Sequence, residues 1–234
     1  MPIPTATFRA GFRESLPITL GYFPIGISFG IAAARAGLSP LEAVFVSAVI
    51  YAGAAQFLAL ALLTGGAPVI VSALSVLAMN LRHVLYGPAI LEAAKDRAAT
   101  RFSWLWGGWL SDGAFGAAIV GVSRSKENFS ERWMLGLGIG PYFSWALGTG
   151  TGAVFGGGAV EDFPAVDAAL GFLLPALFLA MLLAVLSRKQ LAVIVASIVV
   201  TVPASLMFST TVGIVTGMIA GSLVGLIRIR GLER

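Results

Sequence analysis

Eight apolar stretches dominate this chain, at roughly 16–34, 42–63, 67–91, 102–122, 133–158, 166–186, 190–206 and 210–227. Each approaches the ~20 predominantly apolar residues that a helix needs to cross a bilayer. Polar punctuation between them is short: the turn Ala36-Gly37-Leu38-Ser39-Pro40, the charged loops Lys95–Arg101 and Arg124–Arg132, and the pairs around Glu161-Asp162 and Arg188-Lys189. Charged residues are only 11% of the 234, against about 25% in soluble domains. A water-facing surface cannot be covered with so little charge. The mean hydropathy of +0.92 and the 29 glycines point the same way, glycine being more frequent in membrane helices than in soluble ones. The expected fold is all-α: a polytopic membrane helix bundle of six to eight transmembrane segments, with residues 1–234 forming one integral membrane domain.

The basic residues sit in loops and near the ends, where they read as topology signals rather than a nucleic-acid patch. With eight spans and the N-terminus inside, ten Lys and Arg fall inside and four outside. If the second and sixth segments are re-entrant, six spans remain. The loops 91–101 and 123–132 then change sides, three basic residues for three, and the count stays at ten against four. Both arrangements place the N- and C-termini in the cytoplasm. Residues 1–15 show no cleavable signal pattern.

A faint internal repeat runs through the chain. Residues 26–30 (GISFG) and 148–152 (GTGTG) share small-xxx-small spacing. Ala55, Phe57, Leu58 and Ala59 match Ala176, Phe178, Leu179 and Ala180, and 69–73 resembles 193–197, at separations of 121 to 124 residues. Internal repeats of this kind mark secondary transporters. The six-span arrangement makes the repeat inverted, the eight-span arrangement makes it parallel.

The few polar residues inside the apolar stretches carry the chemistry. In the first, Pro24 lies mid-helix with Gly21, Gly26 and Gly30 around it. Proline removes a backbone donor and clashes one turn back. A broken helix there exposes backbone dipoles that suit the carboxylate and ammonium of an amino acid. The plainer alternative is a kink with Gly26 and Gly30 packed on a neighbouring helix. In the second, Gln56 either bonds across helices or lines a polar path, and Tyr51 beside it is a candidate path residue. In the third, Asn80, His83 and Tyr86 are expected on one helical face with Arg82 beside it. Ionisable residues inside membrane segments are functional by default; the alternative is a helix ending near Leu81, with Arg82 and His83 snorkelling to the interface. Asp112, in the middle of the fourth stretch, must be paired or protonated; it reads either as a structural partner of Arg82 or as a proton or ammonium site, and the two do not exclude each other. Trp104, Trp106 and Trp109 read as packing groups or interfacial anchors.

Other chemistries are excluded. There is no cysteine, so thiolate ligands, disulfides and a cysteine nucleophile are ruled out. His83 is the sole histidine, so a multi-histidine metal site is ruled out as well. The Gly148–Gly152 run lacks the Lys-Ser/Thr ending of a phosphate loop and follows no strand. No nucleophile–base–orienter set appears, so the chain does not read as an enzyme, and no cofactor is implied.

Together the stretches GYFPIGISFG (21–30), AGLSPLEA (36–43), YAGAAQF (51–57), MNLRHVLYG (79–87) and WALGTGTG (145–152) resemble the AzlC family of branched-chain amino acid permeases. The resemblance runs in order over nearly the whole chain. It implies the large subunit of a two-component exporter in the bacterial inner membrane, with a small AzlD-like membrane protein as partner and valine, leucine, isoleucine or analogues as cargo. Homo-oligomerisation stays open. It implies a substrate path in which Gly26 and a broken first helix hold one end of the zwitterion. Asn80, Arg82 and Asp112 supply polar and charged contacts, and Gln56 and His83 line the way. One departure stands out: where the family has Thr-Asp-Glu in the fourth segment, this chain has Ser111-Asp112-Gly113. An altered cargo, another small amino acid or an amine, is the corresponding alternative, and a non-transporting scaffold subunit is another.

Overall fold

The computed structural model describes residues 7–94, 101–124, 129–155, 163–166, 168–169, 172, 176, 179, 183 and 191–232. Every regular element among them is helical. They fall into two compact units.

The first unit holds α1 (Phe8–Arg35), α2 (Pro40–Ile50), α3 (Gly53–Thr64), α5 (Ser103–Gly108), α6 (Asp112–Arg124) and α7 (Glu131–Phe155), with both ends of α4 (Val69–Ala94). Three of these helices are long: 28, 26 and 25 residues for α1, α4 and α7. At 1.5 Å per residue each exceeds the hydrocarbon thickness of a bilayer. Helix α1 runs without interruption through Pro17 and Pro24. The break expected at Pro24 is therefore not there, and the chain breaks elsewhere: at Tyr51-Ala52 in the second apolar stretch and at Trp109–Ser111 in the fourth. Tyr51 takes a left-handed backbone conformation (φ 37°), which ends α2. Such a φ is costly for a bulky residue and turns the chain sharply.

Helices α1 and α7 lie parallel in close contact. A Cβ added at Gly26 would sit 2.6 Å from the Trp145 carbonyl oxygen, and one at Gly148 would strike the Phe23 carbonyl. Gly30 faces Thr149 and Gly152 faces Ile27 in the same way. Lower on the seam, Gly11 meets Trp133 and Gly136 meets Phe8. In lipid, helix association rests on van der Waals contact rather than on the hydrophobic effect, so small residues that let two backbones touch supply the attraction. The packing alternative for Gly26 and Gly30 is the one realised.

The seam gives the unit two ends. The lower carries the starts of α1 and α7, the upper their C-termini. Helix α2 begins at the upper end, capped by a Ser39–Glu42 capping box with Pro40 at its first turn. It descends along α7, with Ser47 bonded to Thr149 at 2.8 Å and the Ala48 carbonyl accepting from Tyr142 at 3.0 Å. At Tyr51, against Tyr142, the chain turns. Helix α3 then climbs back, and its Leu60, Leu63 and Thr64 share a cavity of about 270 Å³ with Ala36 and Leu38 of the α1–α2 turn. The second stretch is thus re-entrant.

Helix α4 ends low, where Tyr86, Ile90 and Ala94 join Trp106, Val122, Phe129 and Trp133 in one buried cluster. Phe102 N–H donates to Glu131 Oε1 at 2.7 Å, fixing the start of the next hairpin at the lower end. From there α5 rises until Trp109 reaches Gly138 and Tyr142. Helix α6 starts at mid-height, where Gly113 meets Tyr22, and descends until Gly121 rests on the Trp133 ring. The fourth stretch is also re-entrant, which neither sequence-based arrangement allowed. Two hairpins between α1 and α7, with α4 as the one crossing, leave α1 and α7 parallel. The sixth stretch, re-entrant in the six-span arrangement, lies mostly outside the described residues. Of the three tryptophans, Trp106 is buried as a packing group and Trp104 is 74% exposed.

The second unit contains residues 73–79 of α4, α8 (Leu191–Met207) and α9 (Thr210–Leu232). The last two form an antiparallel pair: Gly213 faces Ser205, Gly217 faces Thr201 and Gly221 faces Ser197. Glycine opposite hydroxyl residues again permits close approach without hydrocarbon bulk.

Candidate functional site

The tips of the two hairpins meet at mid-height in the first unit. From the lower hairpin come Ser111 and Asp112, the latter in the first turn of α6. From the upper hairpin come Tyr51 and, one turn into α3, Gln56. Between them stand Tyr22 of α1 and Trp145 of α7, rings edge-to-face with centroids 5.5 Å apart.

Asp112 is the charged centre. Arg82 Nη2 donates to its Oδ2 at 2.8 Å. Tyr86 OH donates to its Oδ1. Arg82 and Tyr86 are one helical turn apart, so it is they that share a side of α4. The expected face is corrected in part: His83 does lie against Tyr86, but Arg82 joins Tyr86 as well and Asn80 does not, since a spacing of four returns to nearly the same angle and a spacing of six does not. The Tyr86 ring stacks on Phe115 of α6 at 4.2 Å, which holds the phenol against the carboxylate. The His83 ring centroid sits 4.9 Å from that of Tyr86, and neither of its ring nitrogens has a hydrogen-bond partner. An ionised pair at this depth needs its charges matched, and Arg82 with Asp112 supplies that.

The α6 tip is fully provided for. Ser111 Oγ accepts from the Ala114 N–H at 3.3 Å, as an N-cap does. Tyr22 OH donates to Ser111 Oγ at 3.1 Å and accepts from the Gly113 N–H at 3.3 Å. A Cβ on Gly113 would lie 2.9 Å from that hydroxyl, so the glycine is what lets Tyr22 close on the tip.

The α3 tip is provided for only in part. Its cap residue, Ala52, offers no side-chain acceptor to the first N–H groups. Gln56 is fully buried, and its Oε1 accepts from Trp145 Nε1 at 2.9 Å. Its Nε2 has no partner, nor does the buried Tyr51 hydroxyl. Arg82 Nε and Asn80 Oδ1 are likewise unpartnered.

Of the residues singled out in the sequence, the structure thus gathers Tyr51, Gln56, Arg82, Tyr86 and Asp112 about the hairpin tips. Pro24, Gly26 and Gly30 belong to α1 and its seam, and Asn80 and His83 to a neighbouring side of α4. Tyr22, Ser111 and Trp145 were missed as site residues. Tyr22 and Trp145 lie within the motifs that carried the family resemblance, and Ser111 adjoins Asp112, so adjacency was the available signal. Among the described residues no group of acidic or histidine side chains could hold a metal ion.

Long apolar helices, paired half-length hairpins and a charged cluster at their junction define a polytopic membrane protein built around an internal polar site. A family model described as AzlC protein matches residues 17–158. The inner membrane protein YgaZ of Escherichia coli K12 is 44% identical over 194 residues, covering 83% of this chain and 79% of that protein. A membrane protein of Archaeoglobus fulgidus is 37% identical over 76% of each chain. The branched-chain amino acid transport protein AzlC of Bacillus subtilis is 26% identical over 74% of this chain and 66% of that one. No solved structure matches. The chain belongs to the AzlC family of membrane transport proteins.

Proposed function

We propose that this protein is the large subunit of an exporter that carries branched-chain amino acids out of the cell across the bacterial inner membrane, working with a small AzlD-like partner. The observation that carries the proposal is the Arg82–Asp112–Tyr86 cluster where two re-entrant tips meet. Half-helix ends at the bilayer midplane, together with one balanced ion pair, suit a small zwitterion that brings both charges with it. The name of the Bacillus subtilis relative supports the choice of branched-chain amino acids. Their apolar side chains, in this reading, sit beside residues such as Phe29 and Leu60, which line a cavity with Gln56. In this reading the lower end is cytoplasmic: Arg9, Arg13, Arg101, Arg124 and Arg132 stand there against Arg35 at the upper end.

The test is efflux of labelled valine from cells lacking other exporters, with this chain and the neighbouring small membrane protein supplied together and singly. Faster efflux with both supports the reading, and unchanged efflux sinks it. Gly113 favours a second cargo, since Tyr22 fills the space a longer residue would take at the tip. A thermal-shift panel of small amino acids and amines separates the two.

A further inference from the structure

The two tips are chemically unequal, and this gives the site a direction. Both α3 and α6 point their N-termini at the junction, so each presents the positive end of a helix dipole. At α6 that end is spent: Asp112 supplies the negative charge, Ser111 caps, and Tyr22 takes the Gly113 N–H. At α3, a helix of 12 residues, nothing neutralises it. Ala52 gives no cap, and no acidic residue stands in the first turn. Two further donors are idle beside it. Gln56 is 0% exposed, and an indole N–H can only donate, so Trp145 fixes the amide oxygen toward itself and leaves Nε2 without an acceptor. The Tyr51 hydroxyl, on a residue 7% exposed, is also unpartnered. Buried donors without acceptors are costly and rare, and several around one uncapped helix start call for an anion.

Resting on the amino-acid reading above, we infer that the α3 tip, through its first backbone N–H groups, Tyr51 OH and Gln56 Nε2, takes the substrate carboxylate, while Asp112 takes the ammonium. Asp112 has room for it. A carboxylate offers about four lone-pair sites, and Arg82 and Tyr86 occupy one on each oxygen. Arg82 keeps its place as the counter-charge of Asp112 and is not the carboxylate receptor. A cargo for this site must carry a free carboxylate, so an amine with the same side chain is refused.

The test uses the full chain with its small partner in proteoliposomes. Binding of the α-amino acids is read by thermal shift, each beside its decarboxylated amine, and transport follows for those that bind. The wild type is expected to bind valine at least tenfold more tightly than isobutylamine. Tyr51→Phe removes one donor and keeps the ring, and raises the KM for valine about tenfold with little change for the amine. Gln56→Glu places a carboxylate at the tip; it loses valine and gains isobutylamine. Equal binding of amino acid and amine by the wild type overturns the inference. So do a Tyr51→Phe protein that loses both equally and a folded Gln56→Glu protein that does. Binding of a different α-amino acid, with its amine refused, overturns the branched-chain reading and upholds the direction of the site. Binding of no α-amino acid overturns both.

Discussion

Replacing Gly26 with alanine tests the α1–α7 seam most directly, because a control lies five residues away on the same helix. A Cβ at Gly26 falls 2.6 Å from Trp145 O, 3.2 Å from Thr149 N and 3.3 Å from Gly148 Cα. All three are backbone atoms, so no side chain can swing aside. Ordinary contact begins near 3.4 Å, and the helices must part by about 0.8 Å. A gap of roughly 0.5–1 Å forfeits a quarter to a half of the dispersion attraction of the atoms facing it. Overpacking of this kind costs about 1–3 kcal/mol. Alanine recovers roughly 0.5–1 kcal/mol of helix propensity, leaving a net loss of up to about 2.5 kcal/mol. At Gly21 an added Cβ meets nothing within 4 Å, and only the gain of roughly 0.5–1 kcal/mol remains. At about 2–4 °C per kcal/mol for a chain of this size, the two variants should melt several degrees apart, Gly26→Ala below wild type and Gly21→Ala at or above it. Thermal unfolding in detergent, followed by tryptophan fluorescence, measures this. A Gly26→Ala protein that melts with or above Gly21→Ala refutes the close-packed seam.

Further predictions concern the site and the topology. Asp112→Asn and Arg82→Gln each leave one charge uncompensated at mid-height; both are expected to lose stability and transport, and the double variant to recover stability but not transport, as melting and efflux together will show. Tyr86→Phe removes a hydrogen bond to a carboxylate, which is worth about 1.5–3 kcal/mol, and is expected to cut valine efflux at least tenfold while the Phe115 stack keeps the fold. Since the chain has no cysteine, single cysteines report sidedness cleanly: Gly37→Cys and Gly66→Cys are expected to label from one side, Arg101→Cys and Arg124→Cys from the other. Labelling of Gly37→Cys and Gly66→Cys from opposite sides sinks the re-entrant reading of the second stretch.

Much of the fold was legible because lipid leaves few choices. Apolar runs with so little charge must be helices of about bilayer length, and α1, α4 and α7 follow the runs that predicted them. The turn that ends in Ser39-Pro40 was legible from its own chemistry, and α2 starts there. The breaks were not. Proline is the strongest local signal for one, yet Pro24 sits in an intact helix, because the glycines that looked like weakness are held against α7. The actual breaks, at Tyr51-Ala52 and Trp109–Ser111, contain no proline. They are set by what the tips meet: Tyr142, Tyr22 and the Arg82–Asp112 pair. The ion pair was readable, since two opposite charges in oil must find each other. The role of Tyr22 was not, because a tyrosine in an apolar run gives no hint of a partner 89 residues away.

The faint repeat acquires meaning from the seam. Gly26 meets Trp145 O while Gly148 meets Phe23 O; Gly30 meets Thr149 O while Gly152 meets Ile27 O. Exchanging the helices at a separation of 122 residues maps each contact onto its fellow. Parallel helices that touch reciprocally are related by an axis along their length, so if α1 and α7 open two repeats, the repeats are parallel rather than inverted. The polar residues do not follow that symmetry. In the alignment that pairs Ala55 with Ala176 and Phe57 with Phe178, Gln56 falls opposite Leu177. The glycine seam thus needs both copies, while the buried amide is present in one. A reciprocal α1–α7 seam with a donor set present on one side only suits a site that must tell one end of its cargo from the other.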